Sequence, residues 1–132
     1  MPIELVIFDV DGVLKEVVDP YSLLHRHFGT LQAGKRHFQA FVAGDITYHE
    51  FAQLDAWAWH GRTVAETKAI LRSTPYVPGA FEAASGLKAR NIPFVLLSSG
   101  FDINVEDVAA DLQAEAWHCN ILHRDRGRLS AR

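Results

Sequence analysis

The sequence predicts an α/β fold: a layered parallel sheet, interrupted after its first strand by a block of short helices. Three observations carry this reading. An apolar run, Ile3-Glu4-Leu5-Val6-Ile7-Phe8, ends in Asp9-Val10-Asp11-Gly12. A second, Ile92-Pro93-Phe94-Val95-Leu96-Leu97, ends in Ser98-Ser99-Gly100. Between and after them the apolar period becomes helical. Strands that alternate with helices pair in parallel through right-handed crossovers.

Residues 3–8 read as a buried strand and residues 15–19 as a linker. Asp19-Pro20 offers an N-cap and a proline at the first helical position, and Gly29 a stop. A second helix fits residues 33–43, closed by Gly44. Thr47-Tyr48-His49-Glu50 is a capping box, opening a helix that runs to His60 and stops at Gly61. Thr63-Val64-Ala65-Glu66 is another, opening a short helix to Arg72. Pro78-Gly79 begins a helix to Arg90, which Asn91 ends. The second strand covers residues 92–97, with Pro93 acceptable near its start. A helix from Ile103 to Leu112 and a third strand from Glu115 to Leu122 follow. The tail, His123 to Arg132, centres on Arg-Gly-Arg and suits a turn or hairpin. The division is a core of residues 1–18 and 76–132 and a helical cap of residues 19–75. A module inserted after the first strand rises above the carboxyl ends of the strands, as a lid over Asp9 and Asp11.

The chemistry concentrates where the first strand ends. Alternate strand residues share a face, so Asp9 and Asp11 point the same way if the strand continues. Gly12 lets the chain turn just beyond. Open α/β sheets bind ligands at the carboxyl ends of their strands. Packing alone gives no reason to place two carboxylates there; Asp-Gly turn chemistry is the bland alternative.

The run Ile7-Phe8-Asp9-Val10-Asp11-Gly12-Val13-Leu14 resembles the nucleophile motif of the haloacid dehalogenase (HAD) superfamily. Val95-Leu96-Leu97-Ser98-Ser99-Gly100-Phe101 resembles its second motif. That segment, Pro78-Gly79-Ala80, and Gly44-Asp45-Ile46-Thr47-Tyr48-His49-Glu50-Phe51 are similar to the phosphoserine phosphatase-like branch. The resemblance implies a three-layer, Rossmann-like sheet with a small cap and a Mg²⁺-dependent phosphatase acting on a small phosphorylated substrate. It implies that Asp9 attacks phosphorus, forms an aspartyl-phosphate and ligates Mg²⁺. Asp11 then protonates the leaving oxygen, activates water, and ligates the metal through its backbone carbonyl. The Ser98 hydroxyl and the N–H groups of Ser99 and Gly100 hold phosphoryl oxygens, helped by the start of the next helix.

The family site also uses a downstream lysine and a later acidic strand, G-D-x-x-x-D. This sequence has no lysine after Lys88, and its last acidic residue is Asp125. The C-terminal strands of the family fold are therefore expected to be missing, leaving the first strand as an open edge that favours pairing, including a homodimer. Truncation, completion by a partner and a degenerate, non-catalytic module that only binds are the three explanations. A phosphotransferase would use the same nucleophile. A lid carboxylate for a substrate amine would be Glu16 or Asp19.

Other features carry less. Arg62 is a candidate substrate contact from the cap, against a solvated helix-end arginine. Trp57, Trp59, Tyr48, Phe51 and Leu54 read mostly as cap core, with one or two available to a pocket. His25 and His27 fall on different helix faces, and no histidine pair has zinc-site spacing. Arg124, Arg126, Arg128 and Arg132 read as a solvated basic tail, and Cys119 as an inert core thiol. A net charge of -3 argues against a global nucleic-acid binder. One cysteine excludes an internal disulfide, and no leader or membrane-length apolar run is evident, so the expected location is cytoplasmic.

Overall fold

The computed structural model describes residues 1–131; Arg132 of the basic tail lies outside them. The chain forms two compact units, Met1–Asp19 with Arg72–Ile121, and Pro20–Leu71 with the segment from Leu122 onward.

The first unit is built on strands β1 (Val6–Phe8), β2 (Phe94–Phe101) and β3 (Ala116–Asn120), parallel and in the order β1-β2-β3. Strand β1 is shorter than the expected 3–8. Val6 N–H bonds the Pro93 carbonyl, and Pro93 has no N–H to carry the ladder further back. Strand β2 runs beyond the expected residue 97. A bulge between Leu97 and Phe101 keeps Ser98-Ser99-Gly100 extended until Phe101 pairs with Asn120. Helix α6 (Asp102–Leu112) follows without a loop, and its C-cap Gln113 is left-handed. Ahead of β2 lies helix α5 (Ala80–Ala89), entered through Gly79 at φ 91°.

Ala80 and Ala84 of α5 and Val105, Val108, Ala109 and Leu112 of α6 pack with Phe94 and Leu96 into one core. Both helices therefore cover one face of the sheet, as consecutive right-handed crossovers in one direction require. On the other face Leu5, Ile7 and Leu97 are exposed. The register fixes this: Ile7 lies beside Val95, and Leu5 and Leu97 are two residues away along their strands.

The second unit contains α1 (Pro20–His27), α2 (Leu31–Val42), α3 (Tyr48–Ala58) and most of α4 (Val64–Arg72). Both bonds of the Thr47–Glu50 capping box are present. Thr63 Oγ1 accepts from Glu66 N–H at 3.0 Å. Trp59 is fully buried, stacked on Tyr21 and tilted against His25. Trp57 and Leu54 depart from the expected cap core: Trp57 is exposed and stacks on His60, and Leu54 is exposed too. The tail, expected with the sheet, groups with these helices. Strands β4 (Arg124–Asp125) and β5 (Arg128–Leu129) form a hairpin whose turn residues Arg126 and Gly127 have φ 50° and 76°. Positive φ at both positions is the twist-matched two-residue turn. Leu129 and Gly127 then exchange backbone bonds with Gly61, Arg62 and Val64. Among the described residues no helix is long and apolar enough to cross a membrane.

Candidate active site

Asp9 follows the last residue of β1, at the same end of the sheet as Ser98 near the end of β2, because the strands are parallel and adjacent. The strand does not continue through Asp11 as the alternation argument assumed. The Val10 carbonyl instead accepts from Leu14 N–H at 2.9 Å and Lys15 N–H at 3.1 Å, winding residues 10–15 into a tight turn. Gly12 sits in that turn at φ 77°, and a Cβ there would lie 3.1 Å from Val18 Cγ2. Both the conformation and the space call for glycine.

The turn separates the environments of the two carboxylates. Asp9 is exposed, and its Oδ1 accepts from Val10 N–H at 2.7 Å. Asp11 is half-buried, and its Oδ1 accepts from Asn104 Nδ2 at 3.1 Å. Burial first, and the Asp9 charge second, push the Asp11 carboxyl from 3.8 up to about 7, against the lowering pull of the Asn104 bond. Water hydrates a charged carboxylate far better than a protein interior does, and a neighbouring negative charge adds repulsion.

Ser98 is buried, and its Oγ accepts from Gly100 N–H at 2.9 Å. That bond occupies the Gly100 N–H and leaves the Ser98 hydroxyl proton to donate elsewhere. The Ser99 carbonyl accepts from Asn120 Nδ2 at 2.7 Å, which braces the extended segment. Helix α6 opens with buried Asp102, so its positive end already carries a negative charge. Arg62, in the other unit, donates from Nη2 to the Phe28 carbonyl at 3.1 Å and lies over the Phe28 ring.

Two residues near Asp11 escaped the sequence reading. Asn104 is one polar residue between Ile103 and Val105, and only the tertiary approach of α6 to the β1 turn reveals its partner. Lys15 reads as linker yet is buried, with Nζ 4.5 Å from the centre of the Tyr76 ring. Burial pushes its pKa down, against the charges of Asp111, Asp11 and Asp107. Tyr76 donates to Asp111 Oδ2 at 2.6 Å, and Arg72 bridges to Asp107 at 3.1 Å. Cys119 packs against the sheet core, and burial pushes its thiol up to about 12, the charges of Asp102 and Glu106 adding to the shift. It stays a thiol at neutral pH.

The haloacid dehalogenase-like hydrolase model matches residues 6–132. The chain belongs to that family. Two curated relatives are phosphoserine phosphatases. The one from Wolinella succinogenes is 25% identical over 127 residues, covering 96% of this chain and 61% of its own length. The one from Campylobacter jejuni subsp. doylei is 25% identical over 130 residues, covering 97% and 61%. The chain thus spans about three fifths of these relatives' length. Among solved structures, a HAD family hydrolase from Salmonella enterica subsp. enterica serovar Typhi superposes with TM-score 0.91 at 17% identity, over 99% of this chain and 45% of that one. A phospho-aspartyl intermediate analogue of phosphoserine phosphatase gives TM-score 0.80 at 20% identity, over 100% and 63%. These likenesses establish the HAD α/β fold. The aspartate pair after β1 sets an exposed Asp9 beside a half-buried Asp11.

Proposed function

We propose that the chain is the nucleophile-bearing part of a Mg²⁺-dependent phosphomonoester hydrolase, acting through an aspartyl-phosphate on a small phosphorylated metabolite. The observation that carries this reading is the unequal carboxylate pair: an exposed Asp9 beside an Asp11 raised to about 7. A nucleophile must be ionised and reachable, whereas a general acid must hold a proton near neutrality.

Asp9 Oδ1 is tied to Val10 N–H, so Oδ2 is the oxygen that attacks phosphorus. As the P–O ester bond breaks, protonated Asp11 gives its proton to the departing alkoxide. The Asp11 carboxylate then takes a proton from water, whose oxygen attacks the acyl phosphate. The Asp9–phosphorus bond breaks, and orthophosphate leaves with Asp9 restored. The Ser98 hydroxyl and Ser99 N–H hold the non-reacting phosphoryl oxygens, and Gly100 N–H fixes the Ser98 hydroxyl in place.

The donor set fits magnesium. Magnesium takes hard oxygens, and a divalent cation beside Asp9 would offset the negative charge that Asp9 sets next to Asp11. The Asp9 carboxylate and the Asp11 carbonyl would hold it. When bound, the ion neutralises phosphate and nucleophile together.

The test is hydrolysis of para-nitrophenyl phosphate by the 132-residue chain, with and without Mg²⁺, beside Asp9→Asn. Mg²⁺-dependent turnover that vanishes in the variant is expected. Turnover no greater than that of the variant overturns the reading for this chain on its own and leaves a fragment of a longer enzyme or a module that only binds.

A further inference from the structure

We propose that Asn104 positions Asp11: its side-chain amide holds Asp11 Oδ1, so that Oδ2 is the oxygen presented to the substrate. The inference rests on the phosphatase reading and adds a residue to it. Asn104 is 3% exposed, in the first turn of α6, between Ile103 and Val105, both fully buried. An aliphatic side chain would pack there without desolvating an amide. The burial of an amide is repaid only by a partner, and its Nδ2 donates to Asp11 Oδ1 at 3.1 Å. The amide orientation follows from charge, since an amide oxygen turned toward a carboxylate would be repelled.

The consequence is geometric. A carboxylate on a tight turn has two soft side-chain torsions, and each rotamer presents a different oxygen. Among the described residues Asn104 is the one side-chain donor to Asp11, and it acts from a rigid helix rather than from the turn itself. Fixing one oxygen from outside the turn selects the rotamer before substrate arrives, which is how a preorganised site avoids ordering costs during reaction. Asn104 is thus a positioning residue, with no contact to the reacting atoms.

Two arms of one experiment test this on the full chain. In the first, the Asn104 side-chain amide resonances are assigned by their loss in Asn104→Ala and followed in Asp11→Ala. A clear shift and faster hydrogen exchange are expected; unchanged resonances overturn the contact. In the second, para-nitrophenyl phosphate turnover with Mg²⁺ is measured for Asn104→Ala, Asn104→Asp and Asn104→Ser. Loss of an outer partner of a reacting group costs roughly 10- to 100-fold. The expected pattern is a kcat fall of about that size in the alanine variant with KM nearly unchanged. The aspartate variant, equal in shape but repelling Asp11, falls at least as far, and serine restores part of the rate. A rise in KM at constant kcat, or aspartate as active as wild type, overturns the proposal. A wild-type chain without turnover sinks the phosphatase reading for this chain on its own and the catalytic meaning of the contact, while the first arm still decides the contact itself.

Discussion

Asp55 of the helical unit and Asp11 of the sheet unit are both withdrawn from water, but their surroundings differ. Asp55 Oδ1 faces two imidazole rings, His37 Nδ1 at 2.8 Å and His25 Nε2 at 3.1 Å. Trp59 donates to His25 Nδ1 at 3.2 Å, so that nitrogen acts as an acceptor, while the buried Nε2 lies close to Asp55 without a hydrogen bond to it. The Thr30 hydroxyl lies 2.8 Å from the same His25 Nδ1. The knot ties α1, α2 and α3 together. Asp11 instead meets one amide and a second carboxylate. One arrangement answers a buried charge and the other leaves it strained, and strain of this kind gathers where a protein does chemistry.

Opposite signs on mutation are the sharpest test of that contrast. Asp11 binds its proton more tightly folded than unfolded, so stability falls as pH rises from 3.8 toward about 7 and is level above. A shift of roughly 3 units corresponds to about 4 kcal/mol lost across that window in the metal-free chain. Asp11→Asn removes the cost. Urea unfolding in the presence of a chelator is expected to show the variant more stable than wild type by up to that amount at pH 8, and no more stable at pH 4. Equal stability at pH 8 breaks the contrast from the sheet side.

Asp55→Ala should go the other way. It leaves His37 without its hydrogen-bond acceptor and His25 Nε2 without the carboxyl it faces, at a cost of about 1–3 kcal/mol. A variant as stable as wild type would mean that the knot contributes nothing. Gly34→Ala probes the same knot without touching charge. A Cβ at Gly34 would lie 2.5 Å from His25 Cδ2, so the ring must leave its place between Thr30, Trp59 and Asp55. Alanine normally favours a helix over glycine by roughly 1 kcal/mol; here a net loss of about 2 kcal/mol is expected from overpacking. Any gain in melting temperature would contradict the geometry.

The same contrast explains what the sequence could disclose. Strand ends, capping boxes and glycine stops are local, so β2, α3 and α4 could be read within a few residues, as could the Asp9-Asp11 pair. The knot could not be read: His25, His37 and Asp55 lie far apart in sequence, and helical spacing only says which face each occupies. Asn104 was hidden for the same reason, its partner being 93 positions away. Trp57 misled because periodicity marks an apolar face without saying whether another surface covers it. Lys15 sat in a segment without period, and its burial follows from backbone pairing with Tyr76.

The last difference between the units is how completely each covers its apolar side chains. In the sheet unit, Ile3, Leu5, Ile7 and Leu97 are all more than 45% exposed, beside the unpaired edge of β1. Such an edge is a template for another strand, and its apolar row gains by leaving water. Self-association through this edge is the expected outcome, read as a weight-average mass that rises with concentration in light scattering. Ile7→Lys places a charge on the exposed row and should hold the mass at that of one chain. Because Ile7 is 58% exposed, the same substitution should change unfolding stability by no more than about 0.5 kcal/mol. A wild-type chain that stays monomeric at high concentration would count against this self-association, because the exposed row and the open edge would then recruit no second copy.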